Sequence, residues 1–177
     1  MIDANVYAEA LFMLTEELGT SDNVLSDLKT VKKVLKENDG YAVLADTPAF
    51  PTEKRVELID EAFGELDNSL VSLLKILSTK HSFYQVGAIS DEYAKYYDES
   101  RNIERVTAVT CVPMTDEQTG RLKEKLSEET GKNIIIRNKV DKTILGGMVL
   151  RYGGIQRDGS YKARLSDLQA TLQNNEC

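Results

Sequence analysis

The sequence predicts an α+β protein in two parts: a six-helix antiparallel bundle over residues 1–104, then a small α/β domain of order β-α-β-β-α over residues 105–177. Apolar residues recur at helical spacing through the first hundred positions. Near residue 105 the pattern turns to β-branched runs bounded by Pro113 and by glycines. The charge turns with it. Residues 1–105 carry 11 basic and 20 acidic side chains, whereas residues 106–177 carry 11 and 9.

Tyr7, Leu11, Leu14 and Leu18 mark the first helix, which Gly19 ends. Thr20 or Ser21 is the expected cap of a second, whose stripe is Val24, Leu28, Val31 and Leu35. A short third piece spans 41–45, before Pro48 and Pro51. Thr52 is the expected cap of the fourth helix, with Val56, Ile59 and Phe63 inward and Glu53 and Glu57 suited to its positive end. Leu70, Leu73, Leu74 and Leu77 mark the fifth. Val86, Ile89, Tyr93 and Tyr96 mark the sixth. Short connections between such helices make an antiparallel bundle.

The first and fifth helices are apolar around most of their circumference: Ala10-Leu11-Phe12-Met13-Leu14 in one, Leu70-Val71-Ser72-Leu73-Leu74-Lys75-Ile76-Leu77 in the other. Such a helix is either central in its bundle or covered by something else. Ordinary core is one reading, and a groove for a partner's amphipathic helix is the other.

In the rear part, 105–112 reads as a strand stopped by Pro113. Thr115 and Gln118 have capping-box spacing and start a polar helix, with Leu122 and Leu126 inward and Gly131 as its stop. Residues 133–140 and 148–152 read as two more strands. A short return through Ile155-Gln156-Arg157 then leads to an Asp158-Gly159 turn, and a last helix carries Leu165, Leu168 and Leu172.

Reaction chemistry finds little support. The one histidine, His81, has no cysteine or carboxylate at ligand spacing, and Ser78, Thr79 and Ser82 are merely its neighbours. Cys111 reads as a small buried hydrophobe, and it lies far from Cys177, so a reducing compartment without a disulfide is expected. Asp98-Glu99 and Glu128-Glu129 point in different directions on their helices. Gly146-Gly147 feeds a strand, not the helix N-terminus that a phosphate loop needs. No catalytic residue, cofactor, metal or small-molecule substrate is therefore expected. Between Lys132 and Arg164 eight basic residues face two acidic ones, but the chain as a whole carries −7. An acidic protein partner is preferred to nucleic acid for that patch. No apolar run approaches the length of a membrane span, and the acidic start lacks the basic region of a secretory signal.

The segment Val-Asp-Lys-Thr-Ile-Leu-Gly-Gly-Met-Val-Leu-Arg at 140–151 resembles the signature of the delta subunit of F-type ATP synthases, a family that includes the mitochondrial oligomycin-sensitivity-conferring protein. Its marks here are Asp141, Gly146 and Gly147, continued by Asp158-Gly159-Ser160, Arg164-Leu165 and Leu168. Tyr7-Ala8-Glu9-Ala10-Leu11 looks like the family's first helix, and Pro113-Met114-Thr115 also fits. The resemblance implies a non-catalytic stator subunit that keeps the catalytic head from turning with the rotor. It implies an N-terminal domain that binds N-terminal helices of alpha subunits, and a C-terminal domain that binds b-type stalk subunits. It implies membrane association only through the complex, on the cytoplasmic side of a bacterial cell membrane. The candidate residues toward the alpha subunit are Tyr7, Leu11, Phe12, Leu14, Leu70, Leu73, Leu74 and Leu77. Those toward the stalk are Leu165, Leu168 and Leu172, with Arg157, Lys162 and Arg164 as rim. A free-standing adaptor that binds amphipathic helices is the alternative.

Overall fold

A computed structural model of the chain describes residues 3–144, 146–162 and 165. Two compact units divide at Asp98 and Glu99, six residues ahead of the boundary expected from sequence.

The first unit contains α1 (Ala4–Glu17), α2 (Ser21–Glu37), α3 (Asp39–Asp46), α4 (Thr52–Phe63), α5 (Asn68–Thr79), a 3-10 turn at Phe83–Gln85 and most of α6 (Val86–Ser100). Asp3 caps α1 by accepting from the Asn5 N–H at 3.0 Å, and Asp67 caps α5 by accepting from Ser69 N–H at 2.8 Å. Two expected caps are corrected. Thr20 stands at the N-cap of α2, but its hydroxyl is buried without a hydrogen-bond partner. Thr52 is the first helical residue of α4, where Pro51 takes the cap position, and its hydroxyl accepts from the Arg55 guanidinium at 3.2 Å instead. The short piece after Asn38 is an eight-residue helix that runs through Gly40.

Leu28, Ile59, Leu70, Leu74, Leu77, Phe83 and Tyr93 are fully buried at the centre of this unit. Each such side chain contributes roughly 1.5–3 kcal/mol through burial. Polar groups also cross the core. The Tyr93 hydroxyl shares a hydrogen bond of 2.7 Å with Thr15 Oγ1 and donates to Ser21 O at 3.3 Å, and burial pushes its pKa up to about 12. Arg55, buried in α4, donates to Ser78 O at 2.6 Å.

The second unit holds β1 (Ile103–Thr110), α7 (Asp116–Thr130), β2 (Asn133–Val140), β3 (Met148–Tyr152) and β4 (Ile155–Asp158), with strand order β2-β1-β3-β4. The β1–β2 pair is parallel, as a connection through a helix requires, and the other two pairs are antiparallel. Thr115 and Gln118 form the expected capping box, and Gly131 ends α7 in the left-handed conformation at φ +68°. Val106, Leu126 and Ile134 form a small core, with Leu122, Ile136, Leu150 and Tyr152 packed against it. The segment read from sequence as a return to a turn is a fourth strand: 155–158 pairs with β3 along its length. Among the described residues no helix is long and apolar enough to cross a membrane. The expected last helix falls largely outside the described residues.

Candidate functional site

A groove of about 470 Å³ runs between α1 and α5. Its α1 side is Tyr7, Ala10, Leu11 and Leu14, and its α5 side includes Ser69, Ser72, Leu73 and Ile76 with Asn68. Both sets step by three, one and three residues, so each is a single stripe on its helix. Leu11 and Leu73 are buried as the floor. Leu14 and Ile76 remain 45% and 46% exposed. The polar wall is satisfied locally, since Ser72 Oγ donates to Asn68 O at 2.8 Å. Charge beside the groove is acidic on α1, which carries Glu9, Glu16 and Glu17 and no basic residue. On α5, Lys75 is paired with Asp60 at 2.6 Å.

Of the residues expected toward a helical partner, Tyr7, Leu11, Leu14 and Leu73 line this groove. The other four stand behind it. Leu70, Leu74 and Leu77 are fully buried in the core, and Phe12 packs edge-on to Tyr93 at 5.7 Å and stacks on Tyr96 at 6.2 Å. Helix α5 thus turns positions 70, 74 and 77 inward and 69, 72, 73 and 76 outward. Ala10, Asn68, Ser69, Ser72 and Ile76 are lining residues that the sequence reading missed. The i+3 step from Leu73 was the available signal for Ile76.

Among the described residues, neither the groove nor its surroundings assemble a reactive set. Ser78 Oγ donates to Ala45 O at 2.6 Å, and His81 Nδ1 lies 2.6 Å from Asp46 O and 3.2 Å from Arg55 Nη1. His81 also adopts a left-handed backbone, φ +51°, at the end of α5. It acts as a connector of α3, α4 and α5. Among the described residues no group of histidine, cysteine, aspartate or glutamate is placed to hold a metal.

In the second unit, the glycine pair and the 158–160 turn form one clamp. Gly147 has φ +88°, and a Cβ there would stand 2.5 Å from Gly159 O and 2.8 Å from Ser160 Cα. A Cβ on Gly146 would meet the Tyr161 ring at 2.6 Å. Gly159 N–H donates to Met148 O at 3.0 Å, and Tyr161 N–H donates to Gly146 O at 3.1 Å. Asp141 accepts from Thr143 N–H and Oγ1, and Asp158 accepts from Ser160 N–H. These bonds are the main reason both carboxyls are held below the usual aspartate range. Lys139 and Arg151 add to the effect at Asp141, and Lys162 adds to it at Asp158.

The stalk candidates divide. Arg157 pairs with Glu129 of α7 at 2.6 Å and stands 5.6 Å from the centre of the Tyr152 ring, so it ties β4 to α7. Lys162 is exposed, and Leu165 is 64% exposed. Arg164, Leu168 and Leu172 lie outside the described residues.

Residues 4–172 match the family described as ATP synthase delta (OSCP) subunit. A protein of Acetivibrio thermocellus named ATP synthase subunit delta is 36% identical, the match covering 94% of each chain. Proteins of the same name from Leuconostoc mesenteroides and Clostridioides difficile are 32% and 34% identical, each over 96% of this chain and 94% of theirs. A chain of the Toxoplasma gondii mitochondrial ATP synthase hexamer shares the fold, with a TM-score of 0.71 over 98% of both chains at 19% identity. Matched over nearly its whole length, the chain belongs to the ATP synthase delta (OSCP) subunit family.

Proposed function

We propose that the α1–α5 groove holds an amphipathic helix from the N-terminus of an alpha subunit, and that the C-terminal unit holds the end of the b-type stalk subunits. Family membership makes the chain a non-catalytic stator subunit in the peripheral stalk of the F-type ATP synthase, and disfavours a free-standing adaptor. The assembly is membrane-bound, and this subunit sits on its cytoplasmic side in a bacterial cell.

One observation carries the reading of the groove. The two facing stripes leave Leu14 and Ile76 half-exposed over a floor of buried Leu11 and Leu73. That is the geometry of a helix-in-groove site, where large apolar side chains of the incoming helix supply the affinity. Rotor torque loads this joint, so dissociation must be slow compared with turnover. Burial supplies that better than exposed ion pairs, which contribute about 0–1 kcal/mol each.

The test is a titration of the full chain with a synthetic peptide of the alpha-subunit N-terminus, followed by backbone amide shifts. Shifts are expected at Ala10, Leu14, Ser72 and Ile76. Leu14→Asp is expected to weaken binding by about tenfold or more, about 1.4 kcal/mol, with unfolding unchanged because the residue is half-exposed. Normal binding by that variant would place the site elsewhere. Removing residues 162–177 is expected to leave peptide binding intact and abolish stalk binding, and equal loss of both would argue against separable modules.

A further inference from the structure

The groove between α1 and α5 has two unlike ends. Asn68 lines it and also lines a second, polar pocket of about 380 Å³. That pocket is walled by Asn23, Ser26 and Asp27, one stripe of α2, and by Glu65 and Asp67 ahead of α5. Asp27 Oδ2 accepts from the Asp67 N–H at 3.0 Å, and Asp67 Oδ1 accepts from the Ser69 N–H at 2.8 Å. Among the described residues no lysine or arginine pairs with Asp27, Glu65 or Asp67. At the other end of α5 stands Lys80, its C-cap, exposed and one turn beyond Ile76 on the stripe that includes Leu73. Lys80 also makes no ion pair among the described residues. From Asn68 to Lys80 the helix rises about 18 Å.

An occupant of the groove therefore lies between three carboxylates and a lysine. A helix is itself polar, with about half a positive charge at its N-terminus and about half a negative charge at its C-terminus. A helix at the start of a chain adds the terminal ammonium to its positive end. Helix α5 presents its own positive end at Asp67, but that is about half a charge against three full ones, and Asp67 already caps it. Helix α1 carries acid from its cap Asp3 through Glu9 and Glu16 to Glu17, which attracts a cationic partner without choosing its direction. The two ends of α5 make the choice.

We infer that the groove takes its helix in one direction, parallel to α5, with the occupant's N-terminal end at the acidic pocket and its C-terminal end toward Lys80. The inference rests on the reading that the occupant is an alpha-subunit N-terminal helix, and it gives that helix its polarity. The occupant's apolar stripe covers Leu11, Leu14, Leu73 and Ile76. Its terminal ammonium, or a lysine or arginine of its first turn, reaches Asp27, Glu65 and Asp67. The apolar stem of such a side chain passes along Leu66, which also lines the pocket.

The test is a titration of the full chain with the synthetic alpha-subunit N-terminal peptide carrying a nitroxide at one end or the other, read as broadening of backbone amides. A label at the peptide's N-terminal end is expected to broaden Asn23, Asp27 and Asn68 most, and one at its C-terminal end Ile76 and Lys80. The reverse pattern, or equal broadening at both ends of α5 from either label, overturns the single direction and leaves the groove reading standing. A peptide that neither shifts nor broadens the groove amides removes both. Charge as the cause is tested by combining Glu65→Lys with Lys80→Glu, exposed positions outside the groove's apolar lining. With its urea midpoint unchanged, this double variant is expected to bind unlabelled peptide at least about threefold more weakly at about 50 mM salt. The gap is expected to narrow at about 200 mM salt. Wild-type affinity in the double variant at both salt concentrations overturns the inference.

Discussion

Among the described residues, eighteen buried apolar side chains make up the core cluster of the helical unit, whereas Val106, Leu126 and Ile134 make up that of the sheet unit. The helical unit therefore has apolar surface to spare and can leave Leu14 and Ile76 open in a groove without losing its fold. The sheet unit buries Ala108, Val109 and Val149 besides Val106, Leu126 and Ile134, and it adds other means of keeping its shape. A capping box starts α7, Arg157 ties β4 to Glu129, and two glycines let the 146–147 segment close on the 158–160 turn. A unit held by apolar burial is suited to recognise by burial. The sheet unit adds fixed backbone geometry and an ion pair to its buried apolar residues.

Substitutions can break this contrast, and the largest effect is expected at Leu74. Leu74→Asp places an unpaired charge at a fully buried position and is expected to cost more than about 4 kcal/mol, unfolding the helical unit in a urea titration followed by helical circular dichroism. If that variant stayed folded and lost only peptide binding, Leu74 would belong to the groove and not to the core. Gly147→Val comes next. A β-branched residue at φ +88°, with its Cβ 2.5 Å from Gly159 O, is expected to cost about 3 kcal/mol and to act on the sheet unit alone. Amide exchange should accelerate in β3 and β4 and stay unchanged in α1–α5. Equal acceleration in both units would mean that their stabilities are linked.

Thr115→Ala removes the acceptor for the Gln118 N–H and is expected to cost about 1 kcal/mol, read from the midpoint of sheet-unit unfolding. In a unit with a small core that fraction should be visible. The smallest effect is the pH response of Asp158. Its carboxyl in the folded chain titrates below the unperturbed 3.8, so it contributes stability above that pH and loses the contribution as pH falls through the folded value. The stability gap between wild type and Asp158→Asn is therefore expected to be present at neutral pH and to close under acid. A gap independent of pH would assign the effect to packing and not to charge.

Much of this architecture was legible in the sequence, and the failures have physical causes. Long stripes such as Val24, Leu28 and Val31 announce a helix because one face must meet the core. Strand β4 hid because its four residues are all exposed and stand between glycines, so neither alternation nor burial marks them. Helix α5 was read as a helix, but its groove face was not resolved from its core face. Leu70, Leu73, Leu74 and Leu77 are the same residue type, and spacing alone does not say on which side the bundle lies. The serines 69 and 72 held the missing information, since small polar residues one turn apart mark the side that core packing does not fill. The Gly147 clamp was legible as a demand on shape, while its partner, the backbone of Gly159 and Ser160, became visible only in three dimensions.

The hydroxyl pair between Thr15 and Tyr93 has a mechanical consequence. Helix α1 is one wall of the groove, and this bond fastens the flank of that wall to α6, while Tyr93 also reaches the start of α2 through Ser21 O. A hydrogen bond is directional, so the bond resists α1 rolling about its own axis in a way that greasy contacts alone would not. Any pull delivered to α1 by an occupant is thus passed to two further helices before the wall can yield. The wall behaves as a braced doorpost, with its brace on the flank turned to α6 and the start of α2.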